Sequence, residues 1–138
     1  MAWNMRNIGA LLKLAIGIDP ANDDGAAAIN GASIDRQNLE SCVLHAACGA
    51  ATGTPTTQTV DAKLQDSADG STGWADITGA SVAQMTGDDE DQYKDIDLSG
   101  AKRYVRAVVT VAFTGGTSPK IPVACTIALG GAKEKPLA

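Results

Sequence analysis

The stretch RYVRAVVTVAF, residues 103–113, decides the fold class. Its apolar residues recur at every second position, which is the period of a β-strand. The residues on the predicted core face are Val105, Ala107, Val109, Val111 and Phe113. The residues on the opposite face are Tyr104, Arg106, Val108 and Thr110. The stretch is therefore predicted to be a long, half-buried strand.

The same period of two occurs on both sides of this strand. It is clear in KIPVACTIALG (120–130), QTVDAKLQD (58–66) and YKDIDLSG (93–100). Only Thr114 and the turn residues GGTSP separate the first of these from 103–113, so the two are expected to be antiparallel neighbours in one hairpin. Pro122 lacks an amide donor and is expected at an unpaired position or at a sheet edge.

Other segments are less decisive. SCVLHAACGA (41–50) is apolar throughout, which is typical of a strand covered on both faces or of a short buried helix; a helix is most plausible within 32–47. GALLKLAIG and AAAINGASI are weaker strand candidates, and DPANDDG (19–25) is among the clusters expected to form turns. The pattern predicts an all-β fold, an antiparallel β-sandwich that is jelly-roll-like.

The length of 138 residues suits one domain, and nothing in the sequence divides it. We expect a single β-sandwich domain over 1–138, with an N-terminal arm at about 1–8 and a C-terminal tail at about 130–138 outside the sheets. Hydrophobic residues make up 44% of the chain but aromatic residues only 4%. Each side chain of such a core contributes little free energy of folding. A partner that buries further apolar surface is therefore expected to add to the stability.

Charge and hydropathy exclude several classes of partner. The formal net charge of −5 is the wrong sign for holding nucleic acid phosphates. No run of 18 apolar residues occurs, and the opening segment lacks a secretory pattern, so we expect no membrane span and synthesis in the cytoplasm.

The segment CVLHAAC holds the side chains most suggestive of chemistry. On a strand, Cys42 and Cys48 would share one face while His45 would lie on the other, which prevents a common metal site or a Cys–His catalytic pair. Cys125 and these two cysteines are expected to be buried thiols. The acidic turns 19–25 and 88–91 do not match the calcium-loop pattern. We therefore predict no enzyme activity and no cofactor.

The segment LQDSADGSTGWADI (64–77) places a tryptophan beside a flexible acidic loop. Trp74 at the Asp66–Trp74 loop could stack on a sugar. Because the chain has few aromatic residues, we expect Trp74 instead to cap the core at a hairpin.

Three segments together resemble the small cement, or head-decoration, proteins of tailed bacteriophages. They are DAKLQDSADGSTGWADITG, the long run DDEDQYKDIDLSGAKRYVRAVVTVAFTGGTSPKIPVACTIALGG, and AKEKP. The resemblance covers about residues 61–136, and its most distinctive part is SGAKRYVRAVVTV followed by GGTSP and a last strand ending in LGG.

The resemblance implies a jelly-roll-like virion protein on the outer surface of an icosahedral capsid. There it would bridge subunits of an HK97-like major capsid protein, as a homodimer or alternatively a trimer. Trp3 and Met5 in the N-terminal arm are our first candidates for protein contact, and an edge at Pro122 or one outer sheet face could form a dimer. The alternatives are a carbohydrate-binding β-sandwich module and a subunit of the phage tail or head–tail connector.

Overall fold

The computed structural model describes residues 7–132 as two antiparallel β-sheets packed face to face. A 3-10 turn at Ile8–Ala10 precedes the first strand. The strands are β1 Lys13–Asp23, β2 Ile29–Asn30, β3 Ile34–Asp35, β4 Leu39–Cys48, β5 Thr57–Ser67, β6 Ala75–Ser81, β7 Asp91–Asp97, β8 Tyr104–Thr114 and β9 Ile121–Ala132. This confirms the predicted all-β sandwich.

The strand order is that of a jelly roll. One sheet has the order β1-β9-β4-β7, and the other has the order β2-β8-β5-β6 with β3 also paired to β8. When β2 and β3 are counted as one interrupted strand, the antiparallel pairs are nested: β1 with β9, β2/β3 with β8, β4 with β7, and β5 with β6. A long hairpin that is folded over on itself produces this nesting.

The core lies between the sheets and follows the alternation in the sequence. Every apolar residue predicted to face inward on β5 and β9 is buried, and on β8 only Phe113, near the end of the strand, is half-buried. Leu44, Leu64 and Leu129 are completely buried. The buried core cluster consists of aliphatic and small side chains and Met85, and Phe113 is the one aromatic residue of 7–132 that packs against it.

The predicted hairpin of β8 and β9 is wrong. Although only residues 115–119 separate them, β8 pairs with β5 and β9 pairs with β1 and β4, in opposite sheets. Gly115, Gly116 and Ser118 have positive φ, and the loop crosses from one sheet to the other. The alternation of apolar residues identifies which face of a strand is buried. It does not identify which other strand pairs with it, because the alternation would be the same with any partner.

Segment 41–50 is strand β4 over most of its length, and not the helix considered as an alternative. The DPANDDG cluster forms a turn only at its end, because β1 continues to Asp23. At that end Gly25 has positive φ and its N–H donates a hydrogen bond to Asp23 Oδ1. Pro20 is tolerated within β1 because β1 is an edge strand whose register with β9 shifts between Ile18 and Ala21.

The ends of the described region differ slightly from prediction. β9 extends to Ala132, beyond the start of the tail predicted at about residue 130. Pro122 does not mark a sheet edge, since β9 is flanked by β1 on one side and β4 on the other. Within residues 7–132, no helix is long and apolar enough to cross a membrane.

Candidate docking surfaces

The outward face of the β1-β9-β4-β7 sheet is the first candidate surface, and we call it the apolar face. In antiparallel strands, residues directly opposite each other lie on the same side of the sheet. One row across this face is Ile16, Thr126, His45 and Tyr93, and the next is Leu14, Ala128, Val43 and Asp95. Two further rows are Ala124, Ala47 and Asp91, and Gly130, Ser41 and Asp97.

Large apolar side chains on this face are open to solvent. Leu14 is 71% exposed, Ile16 61% and Tyr93 67%. Folding of the monomer gains little from side chains at that exposure, since apolar stabilisation is roughly proportional to the area removed from water. Leu14 and Ile16 are neighbours on β1, whereas Tyr93 lies at the other edge of the sheet on β7. Neighbouring exposed apolar residues, unlike singly scattered ones, are typical of an interaction surface.

The apolar face has a shallow depression at the end where β1 and β4 begin and β7 and β9 end. Small residues from β9 and β4, such as Ala128, Gly130 and Ser41, form its floor, and Leu12 and Asp97 lie at its sides. A Cβ atom on Gly130 would lie 3.0 Å from Leu12 Cδ2, so Leu12 packs on the glycine. The depression has the form of a trough that could accept side chains from another surface.

The β7 side of the trough is acidic. Asp91, Asp95 and Asp97 point outward from alternate positions of β7. The Ser99 backbone N–H donates a hydrogen bond to Asp97 Oδ1 at 2.9 Å, which lowers the pKa of that carboxyl group. His45 Nε2 lies 2.8 Å from Asp91 Oδ2. The face therefore changes from aliphatic at β1 to acidic at β7.

The outward face of the other sheet carries a polar network around Trp74. Arg106 Cζ lies 4.5 Å from the centroid of the Trp74 ring, and Arg106 donates two hydrogen bonds to Gln65 Oε1. Gln65 Nε2 and Lys63 Nζ each donate to Asp76 at 2.9 Å. The network holds the Arg106 guanidinium group over the Trp74 ring.

The expectation that Trp74 caps the core is wrong. The side chain is half-buried and does not belong to the core cluster. Trp74 lies one residue before β6, and its ring contacts Arg106, whose side chain belongs to the outer network. The scarcity of aromatic residues made a core role plausible. The fully buried residue of β6 is instead Ala80.

The loop before Trp74 is held by a single carboxylate. Asp69 accepts hydrogen bonds from the backbone N–H groups of Ser71 and Thr72 and from the hydroxyl groups of Thr72 and Ser67. These bonds, that from the Thr72 backbone first, hold the pKa of Asp69 far below its usual range. The loop is thus a fixed turn and not a flexible tip.

As predicted, the cysteine side chains and the His45 side chain do not lie together. Cys42, Cys48 and Cys125 are buried free thiols, whereas His45 faces outward. Burial raises the pKa of Cys42 and of Cys125 to about 12. In the part of the chain that the structure describes, no group of three or more His, Cys, Asp or Glu side chains could hold a metal ion.

Three residues were predicted to make protein contacts: Trp3, Met5 and Pro122. Trp3 and Met5 lie outside the described residues. Pro122 is exposed near the beginning of β9, and its role in protein contact stays a prediction. Leu14, Ile16 and Tyr93 were not among the predicted contact residues. The alternation of Leu12, Leu14 and Ile16 with Lys13, Ala15 and Gly17 does indicate an outward apolar stripe on β1.

Comparison with known proteins gave only remote likenesses. No family model and no curated protein sequence matches the chain. The solved structure of the SPBc2 prophage-derived protein YomS is similar with a TM-score of 0.46 and 13% identity, over 86% of this chain and 93% of that one. A structure described as a CBM4 has a TM-score of 0.37 and 13% identity, over 88% of this chain and 68% of that one. Neither likeness is strong enough to transfer a function.

Proposed function

We propose that the chain is a structural, non-enzymatic virion protein of a tailed bacteriophage. In this proposal it is made in the host cytoplasm and binds the outer surface of an icosahedral capsid with an HK97-like shell. It cements neighbouring major-capsid-protein subunits there and stabilises the shell. Assembly as a homodimer, or alternatively as a trimer, is part of the same proposal.

The observation that carries the proposal is the apolar face. Leu14, Ile16 and Tyr93 are exposed at a level that a monomer does not require for folding. The sequence resemblance over about residues 61–136 supplies the class of partner. A symmetric shell offers the same contact many times, so a contact of modest strength at each site gives strong overall binding if copies are linked.

The test is to mix the purified full chain with undecorated shells. We expect saturable binding at a fixed ratio of chain to capsid protein, together with a higher disruption temperature of the shells. Absence of saturable binding would contradict the proposal. A tail or head–tail connector subunit would instead occur in only a few copies per virion, so the copy number in purified particles separates these functions.

A second candidate is carbohydrate binding, which the position of Trp74 favours. The indole is half-exposed on an outer sheet face, beside a fixed loop and a polar network, and not in the core. Trp3→Phe leaves Trp74 as the single indole, so its fluorescence can be titrated with glycans. A saturable change in emission would support a sugar site, and unchanged emission across a glycan panel would exclude stacking on Trp74.

A further inference from the structure

The charge distribution of the apolar face restricts the kind of partner that fits it. The outward positions of β1 supply Leu14 and Ile16, and those of β7 supply acidic side chains next to Tyr93. On the described strands of this face, no outward position carries lysine or arginine, and His45 is already paired with Asp91. A partner that covers the face must therefore provide both apolar area and positive charge.

We propose that the apolar face binds a protein surface on which aliphatic side chains lie next to lysine or arginine. The aliphatic groups would fill the trough against Leu12 and extend over the neighbouring Leu14 and Ile16 of β1, and the cations would lie over Asp95 and Asp97. This inference rests on the proposed function and names the chemistry of the capsid surface that the chain contacts. The one-sided charge also fixes the orientation of the partner across the four strands.

A second copy of the chain fits the face less well. In a two-fold arrangement the same surface is used twice, so two sets of acidic side chains would be enclosed without compensating cations. Removing an acidic group from water without a partner is costly. An oligomer that forms through a different surface remains compatible with the inference.

The test uses a peptide of alternating leucine and lysine, with a leucine–glutamate peptide of equal length as control. With the full chain labelled for amide NMR, the lysine peptide is expected to shift outward residues of β1, β9, β4 and β7. The glutamate peptide is expected to shift none of them. Comparable binding of both peptides, or shifts on the other sheet, would overturn the inference.

Variants make the test specific to this face. Asp95→Asn with Asp97→Asn is expected to weaken the lysine peptide about threefold or more, since two exposed ion pairs are lost. Asp61→Asn, at an exposed position on the other sheet, is the matched control and is expected to have no effect. Equal losses in both variants would show only attraction to an acidic protein and would overturn the inference.

Two further outcomes would point to a different partner or to a different function. A concentration-dependent dimer that protects the amides of the apolar face without any peptide would make a second copy the occupant and overturn the inference. If the peptide binds as expected but undecorated shells do not bind, the proposed function fails while the partner chemistry of the face holds.

Discussion

Gly31 lies directly against the backbone of Gly17. A Cβ atom on Gly31 would be 1.9 Å from the Gly17 carbonyl oxygen, while the Gly31 N–H donates a hydrogen bond to the Ala107 carbonyl at 2.7 Å. Gly17 belongs to β1 in one sheet, and Gly31 follows β2 in the other. The edges of the two sheets meet here because neither residue has a side chain.

Gly31→Ala is therefore expected to destabilise the fold. The added methyl group meets backbone, which cannot rotate away, so we expect a loss of roughly 1–3 kcal/mol or more in the free energy of unfolding. Denaturant titration measures this loss. Gly100→Ala is the matched control, because no atom lies within 4 Å of its Cβ position. Equal stability of the two variants would show that the Gly17 contact is not tight.

Two leucines on opposite faces of the same sheet are expected to separate folding from binding. Leu44 is completely buried, whereas Leu14 is 71% exposed. Leu44→Ala is expected to cost roughly 2–5 kcal/mol of folding free energy, and Leu14→Ala less than about 0.5 kcal/mol. Thermal unfolding of both variants measures the difference.

Shell binding is expected to respond in the opposite way. Burying a leucine at an interface contributes ~1.5–3 kcal/mol, so Leu14→Ala is expected to weaken shell binding about tenfold or more, since ~1.4 kcal/mol is tenfold. The folded fraction of Leu44→Ala is expected to bind like the unchanged chain. Normal binding by Leu14→Ala would remove the apolar face from the proposed contact.

Asp69 is expected to make stability depend on pH in acid. Its pKa lies below the ordinary value of 3.8 in the folded chain, because the folded loop donates hydrogen bonds to the carboxylate. The stabilisation is complete above pH 3.8 and is lost as the pH falls through the lower folded pKa. Melting temperatures from neutral pH to about pH 2 are expected to fall less steeply for Asp69→Asn than for the unchanged chain.

Ser71→Ala is the control for this measurement. Its backbone N–H still donates to Asp69, so the pH dependence is expected to match that of the unchanged chain. Asp35, Asp76, Asp88 and Asp97 also have lowered pKa values, so Asp69→Asn removes only part of the dependence. An identical slope in Asp69→Asn would contradict the assigned role of this carboxylate.

The thiol groups are expected to be unreactive in the folded protein. Burial raises the pKa of all three cysteines, and that of Cys42 and Cys125 to about 12, so little thiolate exists at pH ~8. A chromogenic disulfide reagent is expected to label no thiol rapidly until denaturant is added, and then to label three. Rapid labelling of the native chain would indicate that the sheets open locally.

Much of the fold could be predicted because each long strand is apolar on its core face. The alternation of Val60, Ala62 and Leu64 correctly identified inward residues before any strand partner was known. Strand pairing could not be predicted in this way, because β8 and β9 have the same alternation whether they lie in one sheet or in two. Pro20 and its neighbours were misread as a turn, since the edge position that tolerates them is set by the topology.

The candidate site was less predictable than the fold. Trp74 and the N-terminal residues have the more conspicuous sequence signals, whereas the exposed residues Leu14 and Ile16 lie in a weak strand candidate. A strand that is apolar on both faces looks like a buried one until its position at the sheet edge is known. The acidic residues of β7 can be recognised as one side of the trough only once the register of β7 with β4 is known.

The nested pairing of strands has a consequence for how the chain reaches this structure. β1 forms its ladder with β9, the last strand of the described region, and β4 is held between β7 and β9. Most of the ladders therefore close long loops, which is an arrangement associated with folding in milliseconds to seconds. During synthesis, the backbone N–H and C=O groups of β1 stay without their partners until β9 has left the ribosome, so β1 can pair with other chains throughout that interval.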